Sequence, residues 1–342
     1  MAINRHPNLR LISVCDLDPK RLIDFKVSHN VTRYENYHQM MQAHPELDAV
    51  AIVTSSGMHY EHSLDIISRY AKNVVVEKPV VMRNSQGDEL ASTAKRHGVQ
   101  VFPVHQYRFN QCVQRIKRAL VKDELGKPFM ATVRMRWCRT QDYYDRDLWR
   151  GTYAMDGGCC TNQGIHHLDL LRYLMGEVRK VNAVMKTNGA DIEVEDTATI
   201  NLEFQSGSLG LVEITTAARP EDFESSLSVL GSKGMAMLGG WATDKLLVFS
   251  PDPEEEARHS ESFESAYGFG HIKIYEGVYD TLMNGGEPAV TFDDALKTMR
   301  FLHSVYRSDE LKEWVSLGSD EESDRLGRPD DKLFSHYRTE LI

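Results

Sequence analysis

The stretch NVVVEKP, residues 73–79, is an apolar run that ends in a charged pair and a proline. Three other apolar runs of similar length occur in the first third of the chain: LRLISVC at 9–15, DAVAIVT at 48–54 and VQVFPVH at 99–105. Segments with helical spacing separate these runs, and one of them begins at Asp18-Pro19, a favourable cap and first helical residue. Apolar strands that alternate with helices are typical of a parallel sheet covered on both faces. We therefore predict an α/β fold for this part of the chain.

Polar side chains stand where the predicted strands end. They are, in chain order, Asp16, Thr54-Ser55-Ser56, Glu77-Lys78-Pro79 and His105-Gln106. Ligands of open parallel sheets bind at the carboxyl ends of the strands, so these residues are candidates for a ligand site. An acidic residue such as Asp16 can bind the adenine ribose hydroxyls of a dinucleotide, which favours NAD over NADP. The nearby Lys20 and Arg21 leave NADP open.

A Rossmann-type dinucleotide fold normally begins with a strand and a glycine-rich turn about 20 residues before that acidic residue. Only fifteen residues precede Asp16, and none of them is a glycine. The missing strand would be central in the sheet, and the missing turn would supply the amides that hold the pyrophosphate. We expect either a chain that is truncated at its start or one that has lost cofactor binding.

The pattern changes from about residue 106. Alternating, strand-like segments now dominate, and they include PFMATVRMRWCRT, VRKVNAVMKT and DTATINLEFQSGSLGLVEITTAA. They predict a large, open, mostly antiparallel sheet with one packed face. We predict an incomplete Rossmann-like nucleotide domain at 1–105, a substrate and oligomerisation domain at 106–325, and a C-terminal tail at 326–342.

The segment DGGCCTNQGIHHLDLLRYLMG, residues 156–176, predicts a helix from about Gln163 to Gly176. Leucine, isoleucine and methionine residues form one stripe, while Asn162, His166 and Asp169 belong to another. A polar stripe of this kind either faces solvent or lines a cleft. His167 lies off this stripe and is predicted to cap or pack.

Bulk properties exclude several classes. The formal net charge of −10, without a long basic run, argues against nucleic acid as a partner. No run of about 18 apolar residues predicts a membrane span, and MAINRHPNLR does not resemble a secretion signal. Five cysteines without a CxxC pattern suggest reduced thiols in the cytoplasm and no metal site.

Three segments together resemble the Gfo/Idh/MocA family of NAD(P)-dependent sugar and cyclitol oxidoreductases. They are NVVVEKP after TSSGMH, the DGG…NQGIHHLDLLRYLMG segment, and GEPAVTFDDALKTMRFLHSVYRS. The resemblance extends from residue 3 to about residue 315. YYDRDLWRGTYAMDGG, NQGIH and IEVEDTATINLEFQSGSLG look most like family members that oxidise the 3-hydroxyl of UDP-N-acetylglucosaminuronate and related nucleotide sugars.

The resemblance implies roles for individual residues. Lys78 and His166 correspond to the catalytic lysine and to the histidine that contacts the reacting hydroxyl. Many family members have an aspartate where this chain has Asn162, and an asparagine cannot act as a base in a proton relay. The cofactor-binding candidates are Asp16, Thr54, Ser55, Ser56, His59, Glu77, Lys78, Gln106, Trp149 and Arg150. The substrate-binding candidates are Lys78, Arg108, Arg150, Asn162 and His166. Arg219 is a weaker candidate.

Oxidation of a secondary alcohol requires a base to take the hydroxyl proton while a hydride leaves carbon. Histidine titrates at about 6.5, and burial beside a positive nicotinamide lowers the lysine pKa from about 10.4. We expect Lys78 and His166 to share this task. Arg150 suits an anionic substrate, because its guanidinium can bind a carboxylate or phosphate through two hydrogen bonds.

The main hypothesis is therefore an NAD-dependent dehydrogenase of a sugar, possibly a nucleotide-linked uronic acid. One alternative is a free sugar or inositol dehydrogenase. Another, from a different class, is a truncated, non-catalytic chain that binds sugar or only oligomerises. The open sheet predicts a homodimer or homotetramer.

Overall fold

The computed structural model describes residues 2–27, 30–263, 268–318 and 321–340. The first part contains five short parallel strands: β1 (Ser13–Cys15), β2 (Thr32–Tyr34), β3 (Ala49–Ile52), β4 (Asn73–Val76) and β5 (Val101–Pro103). Four helices separate them: α1 (Pro19–Asp24), α2 (Tyr37–Ala43), α3 (His59–Tyr70) and α4 (Asn84–His97). This is the alternation that the sequence predicts.

The parallel strands form two groups. Strand β1 pairs with β2, while β4 lies between β3 and β5. Among the described residues no strand joins β1 to β3, which agrees with the sequence expectation that the first strand of the dinucleotide fold has no counterpart. A 3₁₀ turn, Ile3–Arg5, precedes β1 instead.

The helix caps follow local chemistry. The Asp18 carboxylate accepts a hydrogen bond from the backbone amide of Lys20, and Pro19 opens α1 where its missing N–H costs nothing. Gly98 ends α4 with φ +65°, a left-handed conformation that glycine adopts without strain. The start of α1 at Asp18-Pro19 agrees with the sequence prediction.

A mixed sheet of eight strands dominates the remaining chain. Its order is β12-β11-β10-β6-β9-β8-β7-β13, where β6 and β9 are parallel and every other pair is antiparallel. The strands are β6 (Pro128–Arg136), β7 (Val178–Lys186), β8 (Thr197–Phe204), β9 (Leu209–Thr215), β10 (Glu224–Gly231), β11 (Met235–Gly239), β12 (Lys245–Phe249) and β13 (Val315–Ser316). The predicted large, mostly antiparallel sheet is confirmed.

Eight helices accompany this sheet: α5 (Gln111–Val121), α6 (Gln141–Tyr144), α7 (Gly158–Asn162), α8 (Ile165–Met175), α9 (Glu255–Arg258), α10 (Gly270–Asn284), α11 (Phe292–Leu311) and α12 (Asp331–Ser335). One continuous hydrophobic core joins the parallel strands to the large sheet through α8 and α11. Val76, Leu168, Ile200 and Leu302 are all 1 % exposed or less within it.

The helix predicted from Gln163 is α8, and the shorter α7 precedes it. A wide turn, in which the amide of Gly164 donates to the carbonyl of Cys159 at 2.7 Å, separates the two helices. Asn162 and His166 therefore do not belong to one uninterrupted stripe. The idea that the polar stripe faces solvent is wrong, because His166 is 8 % exposed and Asp169 is 1 % exposed.

All five cysteines are free thiols. No helix among the described residues combines the length and the apolar character that crossing a membrane requires.

Candidate functional site

Lys78 follows the carboxyl end of β4 and reaches across to α7. Its Nζ donates to the backbone carbonyl of Asn162 at 2.7 Å and to the Asn162 side-chain Oδ1 at 3.2 Å. Burial lowers the pKa of Lys78, while the negative charges of Glu77 and Asp156 act in the opposite direction. The amine is thus held in place and can lose a proton more easily than a surface lysine.

Asp156 lies behind Asn162 and is 1 % exposed. The Asn162 Nδ2 donates a short hydrogen bond to Asp156 Oδ1, and the backbone amide of Gly151 donates to Asp156 Oδ2 at 2.8 Å. Burial raises the pKa of Asp156 to about 6 despite these hydrogen bonds. The sequence analysis did not select Asp156 as a site residue. The available signal was an acidic residue directly before two glycines that turn the chain into α7.

His166 lies in the first turn of α8. Its ring stacks on Tyr107, with centroids 4.5 Å apart and planes 22° from parallel. Its Nδ1 is buried without a hydrogen-bond partner in the structure. Burial, followed by the charge of Lys78, lowers the pKa of His166 well below 6.5. The imidazole is therefore neutral near pH 7 and able to accept a proton.

Residues 54–58 lie in the loop from β3 to α3, and His59 is the first residue of α3. The two ring nitrogens of His59 lie 2.7 Å from the carbonyl oxygen of Pro79 and 3.0 Å from that of Thr54. His59 is 1 % exposed, and it ties the ends of β3 and β4 together instead of facing an open cleft. Thr54 Oγ1 lies 3.1 Å from His62 Nδ1. Ser56 is buried in the same turn, and the Ser55 hydroxyl is buried without a partner.

Glu77 connects β4 to the beginning of α10. Its Oε1 lies 3.0 Å from His271 Nε2. Burial alone would raise the pKa of Glu77, but the hydrogen bond and charge of His271 outweigh it and lower the pKa. Beside this pair, Gln106 is 3 % exposed and its Oε1 has no partner. The sequence analysis missed His271, since nothing local links it to a residue almost two hundred positions earlier.

Trp149 and Arg150 lie in the loop after α6, and the positive charge of Arg150 contributes to the lowered pKa of Lys78. The Arg150 guanidinium is 4.3 Å from the Tyr143 ring centroid and 4.6 Å from that of Trp149. Its Nε donates to Asp147 at 3.3 Å, and the other carboxylate oxygen of Asp147 accepts from Arg21 at 2.9 Å. This loop therefore contacts α1, which begins just after Asp16.

Arg108 does not join the other candidates. Its guanidinium donates two hydrogen bonds to Asp169, at 2.7 and 2.6 Å, and another to Asp294. It is 5 % exposed, so its charge is neutralised inside the protein. Burial alone would raise the pKa of Asp169, but His105 and Arg108 lower it to about 2. The predicted substrate contact at Arg108 finds no support in this arrangement.

His167 and Arg219 are also engaged elsewhere. His167 Nε2 lies 2.8 Å from Ser225 Oγ, which agrees with the prediction that His167 packs. Arg219 donates to four backbone carbonyls: those of Thr216, Ala218, Arg139 and Gly189.

Asp16 directly follows β1. Its Oδ1 accepts a hydrogen bond from the backbone amide of Asp18 at 2.9 Å. This bond fixes the orientation of the carboxylate. His59 holds residue 54 beside Pro79 at the ends of β3 and β4, and Gln106 follows the adjacent β5, whereas Asp16 follows β1 in the separate β1-β2 pair. Buried polar atoms without partners, namely Ser55 Oγ, Gln106 Oε1 and His166 Nδ1, fit a polar ligand with ribose and nicotinamide groups. Residues 2–15 supply no glycine-rich turn for its pyrophosphate.

Family models match most of the chain. Residues 1–105 match the oxidoreductase family model for an NAD-binding Rossmann fold, and residues 113–237 match a GFO/IDH/MocA C-terminal domain. The chain belongs to the Gfo/Idh/MocA family. The resemblance inferred from the sequence is confirmed, and NAD is the cofactor of the matched N-terminal domain.

Solved structures of this family superimpose closely on the chain. The WlbA dehydrogenase from Bordetella pertussis, in complex with NADH and UDP-GlcNAcA, has a TM-score of 0.86 at 30 % identity and covers 93 % of both chains. The corresponding enzyme from Chromobacterium violaceum, in complex with the same two molecules, has a TM-score of 0.84 at 33 % identity and covers 94 % of this chain and 92 % of its own.

Curated family members are more distant in sequence. Myo-inositol 2-dehydrogenase from Thermotoga maritima is 24 % identical over 90 % of this chain and 91 % of its own length. D-apiose dehydrogenase from Paraburkholderia graminis is 26 % identical over 90 % of this chain and 83 % of its own length. The chain is therefore an NAD-binding oxidoreductase of the sugar dehydrogenase type.

Proposed function

We propose that the protein oxidises the 3-hydroxyl of a nucleotide-linked uronic acid, with Lys78 and His166 at the reacting hydroxyl. One observation carries the proposal: the buried imidazole of His166 on α8 is close enough to the amine that follows β4 for the charge of Lys78 to lower the His166 pKa. NAD, when bound, accepts the hydride at this strand edge.

The proton leaves through side chains that are already in place. His166 is neutral and has a buried nitrogen without a partner, so it can accept the hydroxyl proton. Lys78, held by Asn162, can donate a hydrogen bond to the oxygen as it becomes a carbonyl. Asn162 itself cannot act as a base, since an amide does not take up a proton at neutral pH.

The substrate class rests on the relatives and on Arg150. The two WlbA structures hold UDP-GlcNAcA, a nucleotide sugar with a carboxylate. Arg150 lies beside Tyr143 and Trp149, where its guanidinium can bind a carboxylate or phosphate after exchanging its hydrogen bond with Asp147. The inositol and apiose dehydrogenases among the relatives favour the second candidate, a free sugar or cyclitol dehydrogenase.

A homo-oligomer formed through the open sheet is part of the proposal. The outward face of β9 exposes Leu209 at 56 % and Leu211 at 38 %, and Val184 on β7 is 50 % exposed. Exposed apolar side chains on one sheet face are typical of a subunit interface. We place the protein in the cytoplasm, where its free thiols stay reduced.

The test has two stages. A thermal melt with NAD, NADH or NADP reports cofactor binding, and a ligand at one hundred times its dissociation constant stabilises by about 2.7 kcal/mol. Absorbance of NADH then reports turnover of UDP-GlcNAcA, the free uronic acid and myo-inositol. Turnover of the nucleotide sugar alone supports the proposal. Preference for the free sugar or inositol supports the second candidate. A cooperative melt without any cofactor shift contradicts both and supports a non-catalytic chain.

A further inference from the structure

A buried carboxylate, an amide and an amine form one hydrogen-bonded series. Asp156 Oδ1 accepts from Asn162 Nδ2, and Asn162 Oδ1 accepts from Lys78 Nζ at 3.2 Å. Asp156 is 1 % exposed and Asn162 is 8 % exposed, so water does not compete freely for these groups. The series ends at the amine that faces the proposed reaction.

The carboxylate decides which way the amide points. An ionised carboxylate only accepts hydrogen bonds, so it selects the NH₂ end of Asn162 and turns Oδ1 toward Lys78. The reversed amide would place its NH₂ group against the Lys78 amine and its oxygen against the carboxylate. Both of those contacts are repulsive. Asp156 thereby keeps the acceptor Asn162 Oδ1 directed at the Lys78 amine, although Asp156 itself does not contact Lys78.

The second oxygen of the same carboxylate reaches the other side of the site. Asp156 Oδ2 accepts from the backbone amide of Gly151, which follows Trp149-Arg150. One side chain therefore fixes both the Lys78 partner and the loop that carries the candidate substrate arginine.

We propose that Asp156 is a positioning residue for the dehydrogenase reaction, which it supports by orienting the Asn162 amide toward Lys78 and by anchoring the Arg150 loop. This inference rests on the proposed function for its kinetic consequences. The arrangement of the three side chains is independent of which sugar is the substrate.

An exchange of the two residues tests the proposal directly. Asp156→Asn keeps the shape and the acceptor for Gly151, but its NH₂ then faces the NH₂ of Asn162. We expect kcat to fall about 10- to 100-fold, because Lys78 keeps the Asn162 backbone carbonyl but loses the second acceptor that orients its amine. The double variant Asp156→Asn, Asn162→Asp restores a donor and an acceptor at every contact. We expect it to recover to within about fivefold of the wild-type kcat.

Glu195→Gln is the matched control. Glu195 is another buried carboxylate in this region, bonded to Tyr306 and to the amide of Cys160, and burial raises its pKa to about 7. We expect this variant to keep the wild-type kcat, so a loss there would indicate a general effect of neutralising a buried acid. Wild-type kcat should also show an acidic limb near pH 6 that Asp156→Asn lacks.

The outcomes are separable from those of the proposed function. A folded Asp156→Asn variant within threefold of the wild-type kcat overturns the inference, and so does a folded double variant no better than the single one. If Asp156→Asn does not fold, the double variant and the wild-type pH profile decide.

If the wild-type protein turns over none of the sugars, the proposed function fails, and acetylation of Lys78 at pH 8 tests the series of hydrogen bonds instead. Loss of the Asp156 charge should then speed acetylation severalfold, because that charge raises the Lys78 pKa. An unchanged rate overturns the inference.

Discussion

The Nζ atom of Lys78 lies 2.7 Å from the backbone carbonyl oxygen of Asn162, although the two residues are 84 positions apart. The acceptor belongs to the main chain at the end of α7, so its position does not depend on which side chain residue 162 carries. This bond ties the amine that follows β4 to the second part of the chain, and the Asn162 side-chain oxygen adds a second acceptor whose direction depends on the side chain. The part that matches the NAD-binding family model and the part that matches the C-terminal domain model meet at this hydrogen bond.

Replacing either proposed catalytic side chain should abolish most turnover. Removal of a positioned acid or base costs about 10²- to 10⁴-fold in rate, and we expect losses in this range for Lys78→Ala and His166→Ala. Steady-state kinetics with NAD and UDP-GlcNAcA provide the measurement. Lys95→Ala, an exposed lysine on α4, should behave as wild type. Near-normal turnover in either site variant would show that the assignment is wrong.

Asp16 should set the preference for NAD. Its carboxylate follows β1, where a hydrogen bond between an ionised group and the ribose contributes about 1.5–3 kcal/mol. We expect Asp16→Ala to raise the KM for NAD at least tenfold. The difference between the KM values for NAD and NADP should become smaller. The KM for the sugar should not change. Asp24→Ala, at the exposed end of α1, is the control. An unchanged KM for NAD would exclude Asp16 as the ribose ligand.

The buried ion pair of Asp169 and Arg108 should make stability depend on acid pH. The pKa of Asp169 is lowered from 3.8 to about 2. The ionised carboxylate therefore contributes to the free energy of unfolding above about pH 4, and this contribution is lost as the pH falls through about 2. That shift corresponds to about 2 kcal/mol. We expect Asp169→Asn to lower the free energy of unfolding at pH 7 by about 3 kcal/mol, because Arg108 stays buried without its partner. Urea unfolding measures both effects. Arg69→Ala breaks an exposed pair with Asp65 and should cost less than about 1 kcal/mol.

A single methyl group at Gly270 should disturb the contact between α10 and Gln106, a candidate cofactor-binding residue. A Cβ there would lie 2.1 Å from the backbone carbonyl of Gln106, which cannot move aside as a side chain could. We expect Gly270→Ala to displace the start of α10, with a loss of about 1–3 kcal/mol and a weaker affinity for NAD. The Cβ of Gly286→Ala would have its nearest neighbour at 3.9 Å, and this variant should remain close to wild type. Thermal melts with and without NAD compare the two, and equal behaviour would contradict the prediction.

A charge on the open sheet should separate the subunits. We expect Leu211→Glu to convert the proposed oligomer to monomer, since an unpaired buried carboxylate is costly at an apolar interface. Light scattering coupled to size exclusion gives the molar mass. Leu311→Glu, at a more exposed position at the end of α11, should keep the wild-type mass. A monomeric wild-type protein would refute the proposed interface.

The strand ends and their polar residues were predictable from sequence because they depend on local order. An apolar run such as residues 73–76 followed by Glu77-Lys78-Pro79 places the lysine at a sheet edge without further information. The helix at 165–175 was predictable for the same reason, from the spacing of its apolar residues and its terminal glycine.

The partners of those residues were not predictable in this way. Arg108 and Asp169 are 61 positions apart, and only the packing of α8 against the turn before α5 brings them together. The sequence predicted that Arg108 contacts substrate, whereas in the structure its guanidinium bonds Asp169 and Asp294. Asp156 was missed because its role depends on a hydrogen bond to a side chain six residues away, at the end of the short helix α7, which the sequence pattern did not predict.

The parallel pairing of β6 with β9 has a consequence for the order of assembly during synthesis. Strand β6 is complete at residue 136, but its two neighbours are β9, which ends at residue 215, and β10, which ends at residue 231. Strands β7, β8 and β9 can pair in succession as they leave the ribosome. Both edges of β6 stay unpaired until β9 is made, and one edge stays unpaired until β10 is made. Its apolar side chains Val133 and Met135 need cover during that interval, so a chain interrupted before residue 231 should be the form most prone to aggregate.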